Sequence, residues 1–125
     1  MRLAVFLLVL LAAGTARAGC ALPGGVDGIA RADGHAVAYR FEPAPKVGRP
    51  FAALIRVCGP AAKLAAVDAT MPAHRHGMNY KPTVSETEQG YRAEGFLLHM
   101  PGAWEFRFDL RTDAGTKSLR APFDL

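Results

Sequence analysis

Trp104-Glu105-Phe106-Arg107-Phe108-Asp109-Leu110-Arg111 decides the fold class of this chain. Apolar and charged residues alternate through the whole stretch. Successive side chains of a strand project to opposite faces, so Trp104, Phe106, Phe108 and Leu110 face one way and the four charged residues the other. This is a strand with one face on a core and one in water. Thr112-Asp113-Ala114-Gly115 closes a hairpin, and Lys117 to Phe123 is the returning strand. A hairpin with one solvated face belongs to an antiparallel sheet.

The same signature recurs upstream. Tyr91 to His99 reads as a strand, and Gly95 inside it marks a bulge. Pro82 to Glu88 is a polar alternating strand that Gln89-Gly90 turns. Leu64 to Met71 is short and β-branched, which favours a strand, although Ala61 to Ala66 also suits one helical turn. Pro72 ends it, having no N–H to donate. Phe51 to Cys58 is continuously apolar and therefore central, and Gly59-Pro60 stops it. His35 to Glu42 places Val37, Tyr39 and Phe41 on one face, with His35 expected in solvent at its start. Gly19 to Asp33 is Gly- and Pro-rich, a loop or an irregular edge strand. No helical period persists beyond two turns. About seven or eight short strands with turn signals between them predict an all-β fold, a single antiparallel immunoglobulin-like β-sandwich.

The length of 125 residues suits one domain. Residues 1–18 read as a separate signal peptide. Arg2 supplies a positive start, Leu3 to Ala13 is an unbroken apolar run too short to span a bilayer, and Ala16-Arg17-Ala18 is a cleavage site. The folded unit is then 19–125, periplasmic or secreted, with no stable membrane span after cleavage. Removing Arg2 and Arg17 from the 15 basic residues leaves 13 against 11 acidic ones. No basic run or basic-aromatic interleaving exists, so nucleic acid is not an expected partner.

The chain has 2 cysteines, Cys20 and Cys58. In an exported chain one pair most simply forms one disulfide. Cys20 also permits a lipid anchor, since Ala18-Gly19-Cys20 fits the end of a lipobox. Against that, Arg17 stands where an apolar residue is wanted, and the disulfide is the expectation.

Chemistry concentrates in Met71-Pro72-Ala73-His74-Arg75-His76-Gly77-Met78 and, after it, His99-Met100-Pro101-Gly102-Ala103-Trp104. Of 4 His and 4 Met in the chain, only His35 and Met1 fall outside these segments. Imidazole and thioether together suit a borderline-to-soft metal, and copper is the candidate. Zinc would recruit Cys or carboxylate beside the histidines, and neither segment contains one. A blue-copper centre needs a Cys ligand in the motif. In extended backbone His74 and His76 face the same side, and Gly77 lets the loop turn back to bring Met78 alongside. Two strands separate the segments, a parity that returns the chain to the same pole. The expected metal ligands are therefore His74, His76, Met78, Met71, Met100 and His99. Trp104 is expected in the core, with shielding of a Cu(I) site as its alternative role; Tyr80 would line the rim, and packing at a sandwich corner is the competing role for the methionines. Nothing supports catalysis: the chain lacks a nucleophile elbow, a phosphate loop and clustered carboxylates.

Met71-Pro72-x-His74-x-His76-Gly77-Met78, Gly90-Tyr91, Gly95-Phe96 and Met100-Pro101-Gly102-x-Trp104 together resemble the YtkA-like/FixH-like group of small exported domains. The resemblance covers about Phe51 to Leu110. It implies an immunoglobulin-like fold and a link to copper handling or to assembly of copper-containing oxidases. Arg75 stands where that family often has Gly, and His99 is not a regular family residue. The expectation is a non-enzymatic periplasmic copper carrier or chaperone that meets another copper protein or an oxidase assembly factor. The alternative is a structural module that assists assembly of an envelope respiratory complex.

Overall fold

A computed structural model describes residues 19–125; the expected signal peptide lies outside the described residues. Nine strands form two antiparallel sheets: β1 (Gly28–Ala32), β2 (His35–Glu42), β3 (Phe51–Cys58), β4 (Ala62–Met71), β5 (His76–Gly77), β6 (Thr83–Thr87), β7 (Gly90–Phe96), β8 (Ala103–Thr112) and β9 (Gly115–Asp124). One sheet runs β1-β2-β3-β7-β6 and the other β5-β4-β8-β9. Without the edge strands β1 and β5, this is the four-against-three strand order of a constant-type immunoglobulin domain.

The alternation in β8 is the alternation of the fold. Trp104, Phe106, Phe108 and Leu110 are buried, and the charged residues between them are half-buried or exposed. Phe106 is the hub where the sheets meet. Its ring lies 4.6 Å from Phe41 of β2, 5.9 Å from Phe96 of β7 and 5.4 Å from Phe123 of β9. Tyr39 stacks on Phe108 at 5.2 Å, and Phe51 on Phe96 at 5.0 Å. Offset and edge-on aromatic pairs add to the stabilisation from area burial.

The sequence expectations need four corrections. Strands among the described residues number nine rather than seven or eight, β5 being the unforeseen one, while the Gly-rich lead-in forms the edge strand that stood as the alternative to a loop, β1, paired with β2 along its whole length. β4 starts at Ala62, ahead of Leu64, with an irregularity at Ala65. The strand expected to reach His99 stops at Phe96, so His99 lies in the β7–β8 connection. His35 is 9% exposed, not solvated, and its Nε2–H donates to the Pro60 carbonyl at 2.8 Å. The bulge at Gly95 is present. Ala52 faces Glu94 and Phe51 faces Phe96, so Gly95, at φ 94°, is the extra residue.

Cys20 and Cys58 form a disulfide with Cα atoms 5.8 Å apart. It ties the N-terminal segment to the end of β3. Closing a loop across 38 residues contributes about 4 kcal/mol on the chain-entropy estimate. The His/Met segments lie at the opposite pole, where β4 and β7 end and β8 begins.

Candidate metal centre

β4 delivers the first segment. Met71 is its last residue, 1% exposed on the inner face. Pro72–His74 then makes a single 3-10 turn, and Arg75 reverses the chain in the left-handed region at φ 53°, ψ 35°. Its N–H closes the turn on the Pro72 carbonyl at 3.3 Å. The two-residue strand β5 follows, with Met71 opposite His76 and Thr70 opposite Gly77. Residues paired across an antiparallel ladder project to the same face. His76 therefore shares the inner face with Met71, at the open end of the sandwich.

His74 and His76 do come together, with ring centres 5.6 Å apart, but by a different route from the expected extended backbone. The 3-10 turn and the left-handed Arg75 set them side by side. Gly77 is likewise not the turning residue. A Cβ there would stand 2.9 Å from the Ala69 carbonyl oxygen and 3.3 Å from Thr70 Cγ2, so glycine lets β5 approach β4. Met78 then donates its N–H to Ala69 at 3.3 Å, and its half-buried side chain packs against the core.

The β7–β8 connection delivers the second segment. Leu98 is fully buried and anchors it, and the Leu98 carbonyl accepts the Gly48 N–H at 2.9 Å. His99 is exposed, with its ring 5.2 Å from His76. Trp104 lies alongside both rings, edge-on at 6.3 Å from His76 and 5.6 Å from His99. Its indole N–H donates to the Met100 carbonyl at 3.0 Å, which fixes the turn. Met100 is half-buried against the core. Gly102, at φ 128°, closes the junction, because a Cβ there would stand 2.9 Å from the Met71 terminal methyl. The tip of Met71 thus lies directly under the Pro101-Gly102 turn.

The centre is two overlapping imidazole pairs, His74–His76 and His76–His99, on a floor of Trp104 and buried thioether. Among the described residues no three His, Cys, Asp or Glu side chains form a ready-made cage. The pairs nevertheless have a ligand-like spacing. An imidazole nitrogen sits about 2.0 Å from a bound ion and its ring centre about 1 Å further out, so two rings sharing an ion stand about 5–6 Å apart. Exposed rings can tighten onto an ion; Met71 cannot, without disturbing the core. Met78 and Met100, at the edge of the core, are the thioethers with room to turn.

The nearest carboxylate on the sequence side of the motif, Asp68, is otherwise engaged. It accepts the Ala69 N–H at 2.9 Å and pairs with Lys81 Nζ at 2.7 Å. Asp68, Thr70, Arg75, His76, Gly77, Met78 and Lys81 line a cleft of about 400 Å³ beside β5. Tyr80 is 66% exposed beyond it. Three features were hidden in the sequence: the left-handed Arg75, the β5 pairing and the Gly48–Leu98 brace. Of these only the brace carried a signal, the Pro- and Gly-rich run at 43–50.

Comparison with family models, with curated proteins and with solved structures finds no match to this chain.

Proposed function

We propose that this chain is an exported copper carrier that holds the ion at the His74, His76 and His99 pole and releases it to another copper protein or an oxidase assembly factor. The observation that carries the reading is the convergence of His99 on His76 at 5.2 Å from a distant part of the chain. Imidazole and thioether without carboxylate favour copper over zinc, magnesium or calcium. Exposed imidazoles suit transfer, since they can be exchanged one at a time. The resemblance of both motifs to exported copper-handling domains points the same way. The Cys20–Cys58 bond occupies the sulfur that a lipid anchor would need, which supports a free periplasmic or secreted form. Among the described residues no helix is long and apolar enough to cross a membrane.

Titrating residues 19–125 with copper tests this. One equivalent bound, and lost in His74→Ala/His76→Ala with the fold intact, is the expected result. Only weak, non-stoichiometric binding in a folded protein would overturn it.

One observation favours a second reading. Met71 is buried, and Met78 and Met100 pack against the core, as in a corner that only shapes a docking module. In that case the folded wild type binds no stoichiometric copper, whereas the carrier reading expects one equivalent, held about tenfold more weakly in Met78→Leu/Met100→Leu.

A further inference from the structure

We infer that Arg75 biases the pole toward the monovalent ion, Cu(I), against Cu(II). The inference rests on the copper reading and concerns which oxidation state is carried.

The candidate ligands are all neutral: three imidazoles and the thioethers of Met78 and Met100. None offsets the charge of a bound ion. Asp68 is held by Lys81 and by the Ala69 N–H. Arg75 forms no side-chain hydrogen bond or ion pair among the described residues. It stands one residue from His74 and one from His76 and lines the same cleft as His76, so an unpaired cation adjoins the candidate ligands. Coulomb repulsion scales with the ion's charge, so a divalent ion is opposed twice as strongly as a monovalent one.

Backbone geometry is an independent observation. Arg75 occupies the left-handed region, where glycine is unstrained and a side chain carries a cost. A glycine would build the same turn more easily. The side chain placed there is a permanent cation, which no backbone requirement explains.

The experiment compares affinities for the two states at low ionic strength, where screening is least. Cu(I) is titrated anaerobically against bathocuproine disulfonate, and Cu(II) against nitrilotriacetate. The variants are Arg75→Gln, Arg75→Glu and the charge-retaining Arg75→Lys. For a charge about 8 Å from the ion in a watery setting, Arg75→Glu lowers the Cu(I)-to-Cu(II) affinity ratio about fivefold and Arg75→Gln about twofold. Arg75→Lys leaves the ratio unchanged. A ratio unmoved in Arg75→Glu overturns the inference and leaves the carrier reading standing. Failure of wild type to bind either ion overturns the carrier reading and this inference together. Circular dichroism confirms the fold of each exposed-site variant.

Discussion

The rings of His76 and His99 stand 5.2 Å apart although one belongs to the edge of the β4 sheet and the other to the connection leaving β7. His76 is the shared member of both imidazole pairs, which makes the three histidines unequal. Removing His76 leaves His74 and His99 without a common neighbour. His76→Ala should weaken copper binding by about 100-fold, and His74→Ala or His99→Ala by about tenfold each. All three side chains are exposed, so unfolding free energies should stay within about 0.5 kcal/mol of wild type. Competition titration and urea melts together check this, and equal losses for the three variants would contradict the shared-pair geometry.

Trp104 is the only tryptophan. Its ring lies 5.6 Å from His99 and 6.3 Å from His76, so its fluorescence should fall on copper addition and saturate at the binding stoichiometry. The same residue is a core element, 1% exposed. Trp104→Ala should cost about 3–5 kcal/mol. Trp104→Phe keeps much of the packing but leaves the Met100 carbonyl without its donor, at a cost of about 1–3 kcal/mol. Thermal and urea unfolding measure both.

Arg75→Gly should stabilise the chain by about 0.5–1 kcal/mol, because the left-handed turn no longer holds a side chain. The midpoint of urea unfolding should rise without a change in slope.

Gly102→Ala should do the opposite. The new methyl meets the Met71 terminal carbon at 2.9 Å, and φ 128° is unfavourable for any L side chain. A loss of about 1–3 kcal/mol is expected. Because the same contact joins the two segments, copper affinity should fall with stability, unlike in Arg75→Gly.

Replacing both cysteines, Cys20→Ala/Cys58→Ala, should cost about 2–4 kcal/mol. The bond sits at the far pole, so any variant that still folds should bind copper as wild type does. A parallel loss of copper affinity would show that the two poles are coupled.

The strands were legible because their burial is one-sided. β2 and β3 have the bounds that alternation and the Gly-Pro stops predict, and β8 shows the expected inward face. Strand parity also brought His99-Met100 to the pole of Met71–Met78, since two intervening strands return the chain there; the His76–His99 pairing itself came only from the structure. What escaped depends on neighbours remote in sequence. β5 is only two residues long and exists because Gly77 can approach β4. His35 is buried with its Nε2–H hydrogen-bonded to the Pro60 carbonyl, which comes from the turn between β3 and β4. A left-handed arginine has no composition signal at all, for the pattern of turn residues points to glycine or asparagine there.

The split of the centre between two sheets has a consequence for how the cargo is acquired. On this reading, an unfolded chain offers only His74 and His76 as nearby imidazoles, and His99 joins them when β7 and β8 have docked. Ion capture is then a late event, tied to closure of the sandwich. An unfolded chain would be empty, and a loaded ion would mark the folded molecule.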